Sequence, residues 1–296
     1  MAKHLISKGH EVRVLLHQGQ QYGITEIYEY QGVTVFPVTK NNKVSLELPL
    51  WSTHMMTHLE YTGWTIEMSR IAHVPCFQIV HNDTPYDCVV SSYKPLNIIY
   101  NSQWIADKLK YKHTSMVMTP PVDIAKYDVG KDPRDNPYIT LINCNKNKGG
   151  VIFGKIAEAM PDRQFLAVRG SYDGHFAPDL PNIKTIDNTP NILPVYEQTR
   201  ILLMPSKYES WGMTASEAMC NGIPVICTKT PGLLENTAGK MLYCDRDDIS
   251  GWVKAIKKLD KPKTYSDYSV AGRARARELD PAIGYQKLEE FINVAK

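Results

Sequence analysis

The chain has 296 residues, enough for two domains of ordinary size, with one large α/β domain as the alternative. Hydrophobic residues make up 43% and charged residues 22%, the balance of a soluble globular protein, and no stretch approaches the ~18 apolar residues that span a membrane. A net charge of +3 permits an anionic ligand without demanding one, and the six scattered cysteines (Cys76, Cys88, Cys144, Cys220, Cys227, Cys244) have neither disulfide-framework nor zinc-site spacing.

The opening MAKHLISKGHEV is charged throughout and lacks the apolar core of a signal peptide, so a cytoplasmic protein without stable membrane insertion is expected. Ala2 to Lys8 reads as the end of an amphipathic helix closed by Gly9, and Glu11 to His17 as a strand. GVTVFPV at 32–38 follows as a strand. The tract WSTHMMTHLEYTGW reads as a surface or cleft-lining helix, with His54 and His58 at i and i+4. No third ligand accompanies that pair, and no metal is expected. CFQIV at 76–80 and NIIYNS at 97–102 are strands, the second leading into the helical WIADKLK.

Residues 119–138, TPPVDIAKYDVGKDPRDNPY, carry four prolines and read as a linker. The domains are placed at 1–125 and 126–280, with a helix at 281–296 crossing back to the first. Beyond the linker, YITLINC, QFLAVRG, ILLMPS and IPVICT are strands separated by helical segments, so both halves follow the α/β logic of covered parallel sheets. Arg273, Arg275 and Arg277 do not share a helical face and read as solvated.

The chemistry concentrates in YESWGMTASEAMCNGIPVICT. ILLMPS ends at Pro205-Ser206, a loop with Gly212 follows, and MTASEAMCN opens a helix near Met213. A strand, a glycine-bearing loop and a helix N-terminus form an anion site from backbone N–H groups, here those of Gly212, Met213 and Thr214. Glu209 lies before the helix and Glu217 about one turn inside it, so two carboxylates address different parts of one extended ligand.

The run PSKYESWGMTASEAMCNGIPVICTKTPGLLE resembles the glutamate-x7-glutamate region of the retaining GT-B glycosyltransferases of family 4, matching at Pro205, Ser206, Glu209, Gly212, Glu217, Ala218, Met219, Gly222, Pro224, Val225, Gly232 and Glu235. The resemblance implies a GT-B fold of two Rossmann-like α/β domains facing across a cleft. It puts Glu209 at the donor sugar and Glu217 at the nucleotide ribose. Ser210, Trp211, Gly212, Met213 and Thr214 then form the loop that holds the diphosphate. LINCNKNKGGVIFGKIAEAMPDRQFLAVRG resembles the start of the family's C-terminal domain, which implies that Lys148, before Gly149, meets the diphosphate. The family's upstream Gly-Arg pair is replaced by Asn143-Cys144-Asn145, leaving Lys146 or Arg169 as substitutes for the second cation. VPCFQIVHNDTPY resembles the strand that ends in a histidine at the reaction centre, here His81. Family members usually begin with a strand and a glycine-rich loop, whereas this chain begins at or inside a helix.

The activity so implied is metal-independent, retaining transfer of a sugar from a nucleotide diphosphate sugar, UDP-sugar first, to an acceptor hydroxyl. No cofactor is needed. The acceptor is a saccharide or a hydroxymethylated base in phage-like DNA, and the sequence leaves the oligomeric state open. A nucleotide-sugar 2-epimerase and a non-catalytic sugar-nucleotide-binding protein are the competing readings.

Overall fold

The computed structural model describes residues 1–40, 42–84, 96–170 and 174–295. Pro85, Tyr86 and Cys88, all used in the sequence reading, lie outside these residues. The chain divides into two compact units, Met1–Met118 with Ala282–Lys296, and Thr119–Pro281.

The first unit runs α1 (Ala2–Ser7), β1 (Arg13–Leu16), β2 (Tyr28–Tyr30), β3 (Val33–Pro37), α2 (Val44–Trp51), β4 (Met55–His58), α3 (Thr62–Ala72), β5 (Cys76–Val80), β6 (Leu96–Tyr100), α4 (Gln103–Leu109) and β7 (Thr114–Val117). Its strands form two sheets. One is β1-β3-β2, with β2 antiparallel to β3, and the other is the all-parallel β4-β5-β6-β7. Every residue of β6 is buried, as a strand covered on both faces requires. On one face, Leu5 of α1 and Leu288 and Ile292 of the C-terminal helix Pro281–Val294 pack with Phe77, Ile99 and Met118. Side chains connect the two sheets, His17 stacking on Tyr61 at 4.0 Å and Gln18 donating to Glu60 at 3.0 Å.

The tract around His54 and His58 is a strand, β4, rather than the helix expected from sequence. Its alternation of buried and more exposed positions has the two-residue period of a sheet and pairs it in parallel with β5. Four residues along a strand span about 13 Å, so these two histidines cannot chelate one ion.

The second unit continues α5 (Ile124–Tyr127), β8 (Tyr138–Ile142), α6 (Gly150–Glu158), β9 (Gln164–Val168), β10 (Ile183–Ile186), α7 (Leu193–Tyr196), β11 (Thr199–Met204), α8 (Met213–Cys220), β12 (Val225–Cys227), α9 (Pro231–Thr237), β13 (Leu242–Tyr243), α10 (Ile249–Lys258) and α11 (Pro262–Glu278). The sheet order is β10-β9-β8-β11-β12-β13, all parallel. Strand β11 shows how the core is divided. Ile201 and Leu203 face Phe153, Ile156 and Trp252, while Leu202 and Met204 face Ala215, Ala218 and Met219. Each such buried aliphatic contributes about 1.5–3 kcal/mol.

From β8 the chain winds outward through α6 to β9, and from β11 it winds the other way through α8 to β12. The two neighbouring strands therefore bracket the topological switch point of the sheet, where loops at the carboxyl ends diverge and leave a crevice.

Two sequence expectations change here. The proline-rich stretch 119–138 is not a bare linker: Val122, Ile124, Tyr127 and Val129 pack into the second unit's core, and Asp123 caps α5 by accepting from the Ala125 amide. Prolines mask this apolar spacing in the sequence. Arg273 and Arg275 are not simply solvated. Arg273 donates to the carbonyls of Cys220 and Asn221 at the end of α8, and Arg275 to those of Glu235 and Asn236 at the end of α9, satisfying terminal carbonyls that lack helical partners.

Candidate active site

Two loops leave the carboxyl ends of β8 and β11, and they are joined to each other. The Lys207 amide donates to the Asn147 carbonyl at 2.8 Å. Arg246 then bridges both, with Nε donating to the Pro205 carbonyl at 3.0 Å and a terminal nitrogen to that of Lys146 at 2.9 Å. Gly149 closes the first loop at φ +94°, and a Cβ there would lie 2.5 Å from the Pro205 oxygen. Only glycine satisfies both the left-handed backbone and that approach.

This backbone arrangement delivers Lys148 to Glu209. The ammonium lies 2.6 Å from Glu209 Oε1, and Ser206 donates to the same oxygen at 2.9 Å. The glutamate side chain is 8% exposed and the lysine 33%. A carboxylate this buried needs a cation and hydrogen bonds, and it has both.

Behind Glu209 the loop is held firmly. Gly212 caps α8 at φ +88°, and a Cβ on Gly232 would lie 2.4 Å from the Glu209 carbonyl oxygen. The buried Asn236 donates to the Trp211 and Gly212 carbonyls and accepts from Ser216. Trp211 is itself buried, Ser210 packs its backbone beneath Gly232, Met213 is exposed, and the Thr214 hydroxyl points to the Met204 sulfur. Thr214 and Met213 thus contribute backbone N–H groups at the helix start, where no intrahelical acceptor exists and the helix dipole favours an anion.

Glu217 sits apart from Glu209, on partners of its own. The Tyr196 hydroxyl donates to its Oε2 at 2.5 Å. Burial pushes the Glu217 pKa up, an effect opposed by the phenols of Tyr196 and Tyr127 and by Lys126.

His81 belongs to the first unit, directly after β5. Its carbonyl accepts from Asn101 at 2.7 Å, and its ring meets that of His58 edge-to-face at 5.2 Å. Both histidines stand at carboxyl ends of parallel strands. Among the described residues, no group of three or more His, Cys, Asp or Glu side chains is placed to hold a metal ion.

Of the substitutes expected for the second cation, Arg169 forms an exposed pair with Asp187 at 3.2 Å and Lys146 offers its carbonyl to Arg246. The cation that the fold brings to both loops is Arg246, which the sequence reading missed because it arrives from the turn after β13, 100 residues from Lys146. Tyr127 and Tyr196 were missed for the same reason. The segment at 174–178 also went unread, although Phe176 bonds the Cys144 carbonyl and lies against Gly150 at the start of α6. Among the described residues, three buried polar atoms in these segments, Asn143 Oδ1, His175 Nδ1 and Trp211 Nε1, have no hydrogen-bond partner. Buried polar atoms are normally satisfied, so this part of the molecule has polar capacity to offer a ligand.

Comparison with known proteins places this geometry. The model of the glycosyl transferases group 1 family matches residues 180–275, the part that contains Glu209, Glu217 and Gly212. Among curated relatives, the D-inositol 3-phosphate glycosyltransferase of Corynebacterium jeikeium is 42% identical over 67 residues, 22% of this chain and 16% of that protein. Its counterpart in Corynebacterium diphtheriae is 28% identical over 120 residues, 38% of this chain and 28% of that protein. The matched segments therefore cover well under half of those relatives.

Solved structures agree over nearly the whole chain. A glycosyltransferase of Rickettsia africae superposes with a TM-score of 0.78 at 15% identity, covering 100% of this chain and 93% of that one. Anabaena HepE, solved in complex with UDP and glucose, gives 0.78 at 14% identity over 99% and 95% of the two chains. Sucrose-phosphate synthase of Thermosynechococcus elongatus gives 0.77 at 15% identity over 99% and 90%. The fold is GT-B.

Proposed function

We propose that this chain is a retaining, metal-independent glycosyltransferase of family 4, moving a sugar from a nucleotide diphosphate sugar to an acceptor hydroxyl. The observation that carries the reading is the pair Lys148–Glu209, held at the switch point by two loops that Arg246 ties together. In this reading the diphosphate lies at Lys148 and the amides of Gly149, Gly212, Met213 and Thr214, with Ser210 and Trp211 shaping the loop. Glu209 faces the donor sugar, Glu217 the ribose, and His81 of the first unit the reacting centre.

The chemistry follows from charge. As the glycosidic bond breaks, the leaving diphosphate gains negative charge, and a fixed ammonium with helix-start amides stabilises that change more than the ground state. The acceptor hydroxyl attacks from the face the diphosphate is leaving, and a diphosphate oxygen takes its proton. Glu209 orients the sugar and acts neither as nucleophile nor as base.

UDP-sugar is the proposed donor, supported by HepE, which was solved with UDP and glucose. A saccharide or polyol hydroxyl is the proposed acceptor, in line with the names of the sucrose-phosphate and inositol-phosphate relatives. A hydroxymethylated DNA base has no comparable support. A cytoplasmic site of action suits a nucleotide-sugar donor, and no described helix is long and apolar enough to cross a membrane.

The test is to incubate the protein with UDP-glucose and a panel of saccharide and polyol acceptors, with and without EDTA, and to read the product by proton NMR. An α-linked product formed equally in EDTA supports the reading. A β-linked product overturns retention, and activity lost in EDTA but restored by a divalent ion overturns metal independence. Conversion of a UDP-sugar without acceptor identifies the epimerase instead.

A further inference from the structure

The second unit has a cavity at the end of its sheet opposite the candidate active site. Arg200 stands near the amino end of β11, so about 13 Å of strand separates it from Met204, where the loop to Glu209 begins. The cavity measures about 400 Å³ and is lined by Arg134, Asp135, Arg200 and Asp260 over an apolar part that includes Pro262 and Tyr265.

The charges in this lining are unequally matched. Arg163 holds Asp260 through two hydrogen bonds, at 2.7 and 3.2 Å, and Asp132 holds Arg134 at 2.7 and 2.9 Å. Arg200 has no such partner. Among the described residues its Nε is buried without a hydrogen bond, and the Asp260 carboxylate stands off at 3.8 Å, beyond hydrogen-bond reach. Tyr265 donates to the Arg200 carbonyl at 2.7 Å, and its ring lies 5.7 Å from the guanidinium, so strand and side chain are both held in place.

Helix α11 opens at the same cavity. Pro262 is its first residue, no side chain caps it and no acidic residue stands in its first turn, so its free amides and dipole favour an anion. A smaller cavity that Arg200 and Asp260 also line, about 20 Å³, has room for a water and nothing larger, so a ligand is met from the larger one. Two guanidiniums and a helix start offer donors from three elements. That suits the three terminal oxygens of a phosphate better than the two of a carboxylate.

We propose that this cavity binds a phosphate group, with Arg200 as its principal donor and Arg134 and the start of α11 completing the site. The phosphate is free or carried by a small metabolite, since the volume admits either. The inference stands apart from the donor reading and concerns the other end of the unit. Asp135, which lines the cavity without an ion-pair partner among the described residues, opposes the anion and gives the test a sign.

The experiment is calorimetry with inorganic phosphate and with phenyl phosphate, in a phosphate-free buffer, on the wild type, Arg200→Gln, Arg134→Ala, Asp135→Asn and Lys148→Ala. The wild type should bind at least one of the two. Arg200→Gln should weaken that binding at least about tenfold, as expected for losing hydrogen bonds from a charged group. Arg134→Ala should weaken it by less, Asp135→Asn should tighten it, and Lys148→Ala should leave it unchanged. Tighter binding of phenyl phosphate assigns an organic phosphate, and equal or tighter binding of inorganic phosphate a free one; both support the proposal. Binding of neither compound overturns it. So does binding that survives in both arginine variants, or that disappears in Lys148→Ala and so belongs to the candidate active site.

Should Arg200→Gln not fold, the exposed Arg134→Ala and Asp135→Asn carry the test through opposite shifts, and unchanged affinity in both contradicts the proposal. The arginine Nε–H signals in nitrogen-15 NMR locate the ligand. The Arg200 signal should move as phosphate is added to the wild type, and a signal that stays still under saturating phosphate overturns the assignment.

Discussion

Lys148 Nζ lies 2.6 Å from Glu209 Oε1, across 61 residues of sequence. Neither side chain is explained alone. The glutamate is too buried to be a solvated charge, and the lysine is exposed enough to meet a ligand while still paired. In the function proposed above, the pair is a preset contact that a diphosphate shares.

Lys148→Ala should weaken UDP binding and slow transfer by about 10²–10³-fold, the range for losing one fixed electrostatic group. It also leaves the Glu209 carboxylate buried with the Ser206 hydroxyl as its remaining side-chain donor among the described residues, at a cost of about 1–3 kcal/mol. Calorimetry and thermal melts read the two effects separately. An unchanged rate and UDP affinity would remove the lysine from the site.

Glu209→Gln keeps the shape and the Ser206 hydrogen bond but removes the charge. Transfer should fall by at least about 10²-fold while UDP binding changes little, because the proposed contact is to the sugar rather than the diphosphate. Near-normal turnover would end its assigned role.

Arg246→Ala removes the bridge between the Pro205 and Lys146 carbonyls. Two charge-assisted bonds are lost, so about 1–3 kcal/mol of stability and a higher KM for the donor are expected. Arg246→Lys, which lacks the planar fork, should restore the charge without restoring KM. A donor KM that follows charge alone would contradict the bridging role.

Gly149→Ala places a Cβ 2.5 Å from the Pro205 oxygen at a backbone φ of +94°. The loop must move, at about 1–3 kcal/mol or more, and Lys148 moves with it. Full activity in this variant would show that the close loop contact is dispensable.

Burial raises the Glu217 pKa, so the folded protein holds this proton more tightly than the unfolded chain does. Ionised Glu217 therefore lowers stability. The loss is absent below the ordinary glutamate pKa and complete above the raised folded value, so stability falls as pH rises through that window. Glu217→Gln removes the titration, and its melting temperature relative to the wild type should climb between pH 4 and pH 8. A pH-independent difference would contradict the shift.

Much of this was legible in the sequence where local pattern and chemistry coincide. The strand–loop–helix around Glu209 was, because a buried parallel strand, a glycine and a helix start each leave a local mark. The Lys148-Gly149 turn was legible for the same reason. Arg246, Tyr127 and Tyr196 were not, since their partners are distant in sequence and an isolated arginine or tyrosine has no pattern. The strand at 55–58 reads as helix in the sequence because histidines four apart suit both periods, and its pairing with β5 decides between them.

The most direct test of the central claim is a thermal-shift screen of the wild type and Lys148→Ala against UDP, GDP, ADP and TDP. A ligand that binds only the folded state adds about 2.7 kcal/mol at a hundredfold excess over its dissociation constant. The account predicts a clear rise with one diphosphate, UDP first, that shrinks or vanishes in Lys148→Ala. No rise with any diphosphate, or an equal rise in both proteins, would contradict it.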